Sequence, residues 1–360
     1  MISPVPHIAR MSPYAIANLV APEGVPITSL AQNESLRGPS PAASAAAAAA
    51  LSRAHLYPDA NWADLRAALA ARHGLDPASL LCAAGSLDLI AALARAYAGP
   101  DRAVLTAVHA YPFFRTAAEA VGARCDAAPE DGLTMSVDAL LDAVRPDTRL
   151  VFVANPANPT GTRVPGAELR RLRDGLPAHT LLVIDEAYGE FADTLQEPLF
   201  DLPARGDTCI LRTFSKAYGL AGLRVGWGVF PRPIAEQMRK VLPPGGVSGP
   251  ALAAATAAVA DRTYLDETVR LTVIARDALV RRLRSAGYPV PDSHTNFVLV
   301  PCGSPARARA LQTALQAQGL VPRAQGGAGL PDALRLTIAA GDALDRAATI
   351  LTDLAAVATP

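Results

Sequence analysis

Short, wholly apolar segments alternate along this chain with segments whose apolar residues have helical spacing. The clearest apolar segments are Leu150–Ala154 (LVFVA) and Leu181–Ile184 (LLVI), and each ends at polar or turn-forming residues. A continuous apolar run of this length is typical of a strand that is buried on both faces of a parallel sheet. Helical spacing follows in residues 61–72, 86–97 and 169–176. The alternation predicts an α/β fold of three layers, in which a mostly parallel sheet is covered by helices on both sides.

A change of pattern after residue 246 predicts a second domain. Pro243–Gly246 (PPGG) interrupts the chain, and the residues beyond it combine a few strand-like segments with long helical stretches. We therefore predict a large domain over residues 41–246 and a smaller α+β C-terminal domain over residues 247–360. Residues 1–40 are proline-rich and irregular. We predict that they form an arm without core elements of its own, which contributes to the small domain and to the substrate pocket.

The composition excludes several classes of function. The 360 residues are 51% hydrophobic and 18% charged, which is typical of a globular protein. A formal net charge of zero predicts neither nucleic-acid binding nor adhesion to a membrane surface. Four scattered cysteines and six dispersed histidines, without metal-ligand spacing, predict no metal site and a reducing, cytoplasmic location. The N-terminal sequence MISPVPH lacks the apolar core of a signal peptide.

Lysine is almost absent from this chain. Of the 33 lysines and arginines, only Lys216 and Lys240 are lysines. Lys240 follows charged and polar residues and is predicted on a solvated helix face, whereas Lys216 lies among aromatic residues and glycines. A lysine, unlike an arginine, can lose its proton and condense with an aldehyde, and a neighbouring cation such as Arg224 favours that loss. Lys216 is therefore a candidate Schiff-base lysine, although a chance survivor in a turn is the alternative.

Other polar residues fall where ligands bind in parallel sheets, at the carboxyl ends of predicted strands. Gly85–Ser86 opens a helix, whose free N–H groups suit a phosphate. Asn158 stands in a turn made rigid by two prolines, and Asp185 follows a buried strand, where its carboxylate requires a cation such as a protonated pyridine nitrogen. Tyr188 can present a phenol nearby, and Arg224, between two glycines, suits a phosphate. An ordinary turn is the alternative interpretation for Gly85–Ser86 and for Asn158, and a helix N-cap is the alternative for Asp185.

The segment Leu334–Ile338 (LRLTI) alternates between apolar and polar residues. This alternation places Arg335 on the face opposite the apolar residues, where its planar guanidinium can hold a carboxylate, unless it is simply solvated. Taken together, these groups fit one ligand with a phosphate, an aldehyde, a ring nitrogen and a phenolic oxygen. That ligand is pyridoxal 5′-phosphate, which acts as an electron sink in amino-acid chemistry.

The order of these motifs resembles the fold-type I, class I/II aminotransferases, and most closely the histidinol-phosphate aminotransferase branch. The most specific segments are Asn155–Gly161 (NPANPTG), Asp185–Tyr188 (DEAY) and Ser215–Arg224 (SKAYGLAGLR). The arm also resembles that branch at Gln32–Glu34 (QNE) and Gly38–Pro41 (GPSP). The resemblance covers nearly the whole chain.

The resemblance implies a homodimer with shared active sites, in which the large domain binds pyridoxal 5′-phosphate. Lys216 would form the Schiff base and then move the proton, and Asp185 would pair with the ring nitrogen. The remaining implied cofactor residues are Asn158 and Tyr188 at the phenolic oxygen, Tyr111 against the ring, Gly85, Ser86, Ser215 and Arg224 at the phosphate, and Tyr57 reaching the phosphate from the neighbouring subunit. The implied substrate residues are Arg335, Arg323, Asn33 and Tyr14.

Departures from the branch pattern lie near the substrate side. Leu87 stands where an acidic residue is usual, Ala328 stands where a tyrosine is common, and Ser35 and Leu36 alter the first loop. The favoured function is transfer of an amino group from histidinol phosphate to a 2-oxo acid such as 2-oxoglutarate, by a ping-pong mechanism. The alternatives are an aromatic amino-acid aminotransferase, a decarboxylase of a phosphorylated amino acid, and a non-catalytic protein that retains the fold.

Overall fold

The computed structural model describes residues 2–13, 19–192 and 198–356, so the predicted substrate residue Tyr14 lies outside the described residues. The helices are α1 (Pro6–Arg10), α2 (Pro41–Ala50), α3 (Ala63–His73), α4 (Ser86–Tyr97), α5 (Phe113–Glu119), α6 (Val137–Asp142), α7 (Gly166–Gly175), α8 (Arg232–Met238), α9 (Gly249–Ala260), α10 (Arg262–Ser285), α11 (Pro305–Ala317) and α12 (Ala343–Ala356). The strands are β1 (Thr28–Leu30), β2 (Leu80–Ala83), β3 (Ala103–Ala107), β4 (Cys125–Ala128), β5 (Glu130–Asp131), β6 (Thr134–Met135), β7 (Thr148–Ala154), β8 (Leu181–Asp185), β9 (Thr208–Thr213), β10 (Gly226–Val229), β11 (Phe297–Pro301), β12 (Leu320–Gln325) and β13 (Leu330–Thr337).

A seven-stranded sheet organises the first two-thirds of the chain, with the strand order β2-β10-β9-β8-β7-β3-β4. The neighbouring pairs from β9 to β4 are parallel, and only β10 runs antiparallel to both of its partners. Side chains of β8 alternate between two cores, because Leu181 and Val183 enter the core on one face and Leu182 and Ile184 the core on the other. The mostly parallel sheet with two covered faces agrees with the prediction.

Parallel pairing brings the ends of three central strands to one edge of this sheet. Ala154, the last residue of β7, is the partner of Asp185 on β8, and Asp185 is in turn the partner of Leu211 on β9. The residues that follow these strands, from Asn155, Glu186 and Phe214 onward, therefore start from the same edge. This edge is where a ligand is expected in a parallel sheet.

A second sheet has the strand order β1-β12-β13-β11. It packs with α11, α12 and the second half of α10 around a separate core that includes Leu30, Leu279, Leu311 and Leu351. Strand β1 pairs parallel with β12, and Leu30 is fully buried. The prediction that residues 1–40 hold no core element is therefore wrong, because three residues of the arm complete this sheet.

The division at residue 246 stays a prediction. Helix α9 packs on α2 and α3, and its buried alanines belong to the core of the large sheet. Buried residues of α10 belong to that core at Leu265 and to the second core from Leu279 onward. Within the described residues, no helix combines the length and the apolar character that crossing a membrane requires.

Candidate active site

Asp185 is the last residue of β8 and is 4% exposed. Its Oδ1 accepts a hydrogen bond from the Ala187 N–H at 3.0 Å, in a tight turn after the strand. Burial raises the pKa of the Asp185 carboxyl to about 7, and the charge of Glu186 adds to the rise, although the Ala187 bond opposes it. A carboxylate in this position is poorly solvated, and a cationic ring nitrogen would stabilise its charged form.

Lys216 lies in the loop after β9. Its Nζ donates a hydrogen bond to the Gln32 carbonyl oxygen at 3.1 Å and lies 5.8 Å from the centroid of the Tyr188 ring. Removal from water lowers the pKa of the Lys216 amine to about 7, and the nearby positive charge of Arg335 contributes to the shift. A substantial fraction of the amine is therefore neutral near pH 7, which is the form that attacks an aldehyde or accepts a proton.

Three hydrogen bonds join residues that are far apart in the chain. The Asn33 Nδ2 donates to the Tyr188 hydroxyl at 2.8 Å, and the Arg335 Nη1 donates to the Asn158 Oδ1 at 2.5 Å. The Arg335 Nη2 also donates to the Ala31 carbonyl oxygen at 2.6 Å. The structure thus brings together residues from the arm, from both predicted ligand loops and from β13.

The arm is fixed in this network by its backbone. Asn33 has a φ of 55°, in the left-handed region, and its N–H donates to the Thr337 Oγ1 at 2.9 Å. The Asn296 Nδ2 donates to the Asn33 carbonyl oxygen at 3.1 Å. Asparagine tolerates this backbone region better than most residues, so Asn33 suits the turn as well as the contact with Tyr188.

The predicted phosphate residues form a cradle at the start of α4. Gly85 has a φ of 89°, and the first turn of the helix begins at Ser86. The Arg224 guanidinium lies over Gly85, since a Cβ on that glycine would be 2.7 Å from the Arg224 Nη2. The Arg224 Nη1 is 3.5 Å from the Ser215 Oγ. Helix N–H groups, two hydroxyls and a guanidinium are the donors that a phosphate requires.

Gly226 on β10 allows this cradle to close. A Cβ at this position would lie well inside contact distance of the Ser86 amide nitrogen and 2.6 Å from the Gly85 carbonyl carbon. We expect Gly226→Ala to push the cradle away from Arg224, to weaken cofactor binding about tenfold and to lower stability by about 1–3 kcal/mol. Fluorescence titration with pyridoxal phosphate and thermal unfolding would measure the two effects.

The matched control for this substitution is Gly222→Ala. Gly222 is exposed, and a Cβ there would meet no atom within 4 Å. We expect wild-type cofactor affinity in the control. Equal affinities in the Gly226 and Gly222 variants would contradict the role assigned to the close approach of β10.

Three further predicted site residues, Tyr111, Arg323 and Tyr57, lie in different parts of the structure. Tyr111 follows β3 at the same sheet edge and makes an edge contact with Phe114, with ring centroids 5.7 Å apart. Arg323 on β12 is the direct partner of Arg335 on β13, which places the two arginines side by side. The Tyr57 side chain is 99% exposed, so it is not buried against the site residues of its own chain.

The sequence reasoning missed two sets of contacts. Arg212, in β9, forms a buried ion pair with Glu186 at 3.0 Å and lies 3.6 Å from Glu190. The sequence signal that could have indicated this ion pair is Arg212 itself, because it directly follows the apolar residues Cys209–Leu211 of a buried strand. The ring Nδ1 of His109 lies 2.8 Å from the Ala328 carbonyl oxygen, which ties the turn after β12 to the loop after β3. Nothing in the sequence pattern indicated that contact.

The fold and this residue set define a fold-type I pyridoxal-phosphate enzyme. The cradle, the poorly solvated Asp185 and the Lys216 amine fit the phosphate, ring nitrogen and aldehyde of that cofactor. No group of three metal-ligating side chains occurs among the residues that the structure describes.

The chain belongs to the family "Aminotransferase class I and II", whose model matches residues 25–350. It is 41% identical over 356 residues to the histidinol-phosphate aminotransferase of Jannaschia sp., with 99% of each chain covered. It is 42% identical over 354 residues to the enzyme of the same name from Rhodospirillum centenum, with 97% of this chain and 98% of the relative covered. The predicted family and enzyme class are confirmed.

Solved structures agree with the fold. The histidinol-phosphate aminotransferase of Sinorhizobium meliloti, solved in complex with pyridoxal-5′-phosphate, has a TM-score of 0.91 and 31% identity, with 99% of this chain and 98% of that chain covered. A Thermus thermophilus aspartate aminotransferase variant has a TM-score of 0.86 at 19% identity, over 98% of this chain and 100% of that chain, and shows the fold alone. The predicted fold class is confirmed, and the predicted cofactor is the one found in the Sinorhizobium relative.

Proposed function

We propose that the protein is a pyridoxal-phosphate-dependent aminotransferase that takes the amino group of histidinol phosphate and passes it to a 2-oxo acid such as 2-oxoglutarate. The observation that carries this proposal is the side-by-side placement of Arg323 and Arg335 on adjacent strands at the site. A ping-pong enzyme of this kind must bind a phosphate in one half-reaction and a carboxylate in the other. Two neighbouring guanidinium groups supply a partner for each anion.

Arg335 is the better placed for the carboxylate of the 2-oxo acid. It is 8% exposed, it packs over the Phe297 ring with its carbon 5.2 Å from the centroid, and its bonds to Asn158 and Ala31 hold the guanidinium in one orientation. Arg323 is only partly buried, and as the direct cross-strand partner of Arg335 it is on the same face of the sheet. We assign it to the phosphate of the donor, which is the one anionic group of histidinol phosphate.

Bound pyridoxal phosphate supplies the electron sink for the transfer. The Lys216 amine, whose pKa is lowered to about 7, can take a proton from the donor carbon and release it again later in the reaction. Asp185 stabilises positive charge on the ring nitrogen. Asn33 and Arg335 orient Tyr188 and Asn158, whose side chains would donate to the phenolic oxygen of the cofactor.

A dimer with shared active sites belongs to the same proposal. Tyr57 is 99% exposed, and Leu51 and Leu56 nearby are 61% and 52% exposed. Such a patch of large apolar side chains is typical of a surface that a second copy covers. The predicted contact of Tyr57 with the neighbouring subunit's cofactor phosphate would explain why this large side chain is exposed on its own chain. The cytoplasmic location stays a prediction.

An acceptor-dependence assay tests the proposed reaction. The cofactor-loaded protein is mixed with histidinol phosphate, with and without 2-oxoglutarate, and the formation of glutamate is followed. We expect sustained turnover only with the oxo acid. Turnover of threonine phosphate with release of carbon dioxide and without any oxo acid would instead indicate a decarboxylase, and turnover of phenylalanine alone would indicate an aromatic aminotransferase.

Arg323→Ala should reduce activity selectively with the phosphorylated donor. We expect kcat/KM for histidinol phosphate to fall roughly 10- to 100-fold, which corresponds to the loss of a charge-assisted hydrogen bond. The second half-reaction with 2-oxoglutarate should change less than about threefold, because Arg335 is intact. Single-turnover kinetics of each half-reaction would separate the two.

The control for this prediction is Arg309→Ala, which removes an exposed arginine from α11. We expect wild-type values for both half-reactions. An equal loss in Arg323→Ala for phosphorylated and unphosphorylated donors would remove the argument for a phosphate contact.

A further inference from the structure

A buried ion cluster lies directly behind the loop that carries Asp185 and Tyr188. The Arg212 Nε and Nη2 each lie 3.0 Å from the Glu186 Oε2, and the Arg212 Nη1 lies 3.6 Å from the Glu190 Oε1. None of the three side chains is more than 5% exposed. Charged side chains are rarely buried to this extent unless they are paired with one another.

The cluster spans the loop from one side of the site residues to the other. Glu186 directly follows Asp185, and Glu190 is two residues beyond Tyr188. One guanidinium on β9 therefore contacts both ends of the segment that presents the predicted carboxylate and phenol. The Glu186 N–H also donates to the Leu211 carbonyl oxygen at 2.8 Å, which anchors the start of the segment to the same strand.

Packing leaves this guanidinium little freedom. Its carbon lies 4.9 Å from the centroid of the Phe200 ring. Gly189 approaches it closely, since a Cβ there would be 3.0 Å from the Arg212 guanidinium carbon and from Nη2. A planar fork can contact two carboxylates from a fixed position, which the single ammonium of a lysine cannot do.

The cluster depends on Arg212 for its electrostatic stability. Two carboxylates share one guanidinium in this cluster, and Glu186 is close enough to Asp185 to disfavour its charged form. Displacement of Arg212 would leave Glu186 and Glu190 without this partner beside the site. Solvation of these carboxylates would then favour movement of the loop toward water, and Asp185 and Tyr188 would move with it.

We propose that Arg212 is a positioning residue, which clamps Glu186 and Glu190 and so fixes the orientation of Asp185 and Tyr188 toward the bound cofactor. It contacts neither substrate nor cofactor itself. The inference rests on the proposed function for the identity of the ligand, whereas the clamp is a property of the chain alone.

The variant that tests the clamp is Arg212→Lys, studied as the cofactor-loaded protein. We expect the pH midpoint of the visible cofactor band to shift by about half a unit or more, because the polar groups around the cofactor are displaced. We expect kcat to fall about tenfold or more, with a smaller change in KM for the amino donor, because misplacement of such groups affects the transition state most. Amide hydrogen exchange in residues 186–192 should become at least about tenfold faster.

Arg173→Lys is the matched control. Arg173 is also 2% exposed, and its Nη1 and Nη2 donate to the carbonyl oxygens of Thr180 and Leu176 at 2.6 Å and 2.8 Å, away from the site residues. We expect this variant to unfold at lower temperature and to keep the wild-type band midpoint and kcat. A purely structural role for Arg212 would give the same pattern in Arg212→Lys and would overturn the proposal.

A second variant, in which the cluster carries no charge, tests the clamp if Arg212→Lys does not fold. The triple variant R212M/E186Q/E190Q removes all three charges with side chains of similar size. We expect it to fold and to show the same displaced band midpoint and lowered kcat. Wild-type values in the triple variant would contradict the clamp.

Failure of the proposed function and failure of the clamp would give different experimental results. A wild-type protein that formed no visible band with pyridoxal phosphate would contradict the proposed function itself. Hydrogen exchange on the cofactor-free protein would still compare wild type with Arg212→Lys. Equal exchange rates there would overturn the clamp independently of the reaction.

Discussion

Lys216→Ala is expected to abolish turnover while the fold survives. The half-buried side chain lies at the carboxyl edge of the large sheet, and desolvation lowers the pKa of its amine to about 7. Removal of a group that both bonds the cofactor and carries the proton should lower kcat by about 10⁴-fold or more. Steady-state turnover of histidinol phosphate with 2-oxoglutarate would measure the loss.

The chain offers a matched control, because its second lysine is exposed. Lys240 donates only to the Gln237 side chain at 2.7 Å among the contacts that the structure describes, and Lys240→Ala should have wild-type activity. Borohydride reduction of the loaded wild type, followed by peptide mapping, should place the cofactor on Lys216. Near wild-type turnover in Lys216→Ala, or a cofactor mapped to Lys240, would contradict the assignment.

Asp185→Asn is expected to have opposite effects on activity and on stability. The amide cannot stabilise a protonated ring nitrogen, so kcat should fall by at least about 100-fold, which is the size of effect found for the loss of one charge-stabilising group. Asp185→Glu should recover part of the activity, because it restores the charge at a displaced position.

Stability of the cofactor-free protein should change in the other direction. The pKa of Asp185 is raised by burial from an ordinary value of 3.8 to about 7, so the folded state disfavours the charged form. This group destabilises the wild type progressively as the pH rises from about 4 to about 7, and not below that range. Asp185→Asn removes the effect and should be more stable than the wild type by on the order of 2–4 kcal/mol at pH 8.

Urea unfolding of the cofactor-free proteins at pH 4 and pH 8 would check this difference. The stability of the two proteins should nearly coincide at the lower pH and diverge at the higher pH. Asp101→Asn, at an exposed turn before β3, should show no such divergence. A loss of stability at pH 8 in Asp185→Asn would show that the carboxylate stabilises the cofactor-free fold, contrary to its burial.

The common location of Lys216, Asp185 and Asn158 at one sheet edge could be predicted from the sequence, because it follows from local patterns. Lys216, Asp185 and Asn158 each follow a buried strand or its loop within a few residues, and parallel pairing alone brings strand ends to one edge. The short apolar runs that define these strands are also the strongest periodic signals in the chain. Physical rules for single segments therefore sufficed for these residues.

Strands β4, β10 and β12 were not predicted, for identifiable reasons. β4 (CDAA) and β10 (GWGV) have little apolar periodicity, and the glycines of β10 lie where neighbouring backbone approaches closely. Pro322 in β12 argues against a strand, yet it lies opposite Leu30, the last residue of the short strand β1. Such segments form strands because they pair with adjacent strands in the sheet. The local sequence pattern of a single segment does not contain that information.

The contacts of the arm and of β13 with the predicted ligand loops are long-range, and the sequence did not predict them. Asn33 reaches Tyr188 and Arg335 reaches Asn158 across 155 and 177 residues of chain. The Arg212 cluster has the same character, because both of its carboxylates come from a loop after the adjacent strand. Leu87 and Ala328 depart from the branch pattern, and the His109 contact with the Ala328 carbonyl is the structural feature found near one of them.

The central claim is that this protein is an aminotransferase for histidinol phosphate, and an absorbance titration tests it most directly. Histidinol phosphate, phenylalanine, tyrosine and threonine phosphate are added separately to the purified, pyridoxal-phosphate-loaded protein, and the visible band of the bound cofactor is followed. We predict that histidinol phosphate abolishes the band at low concentration and that 2-oxoglutarate restores it. Loss of the band only with phenylalanine or tyrosine, and none with histidinol phosphate, would contradict the claim.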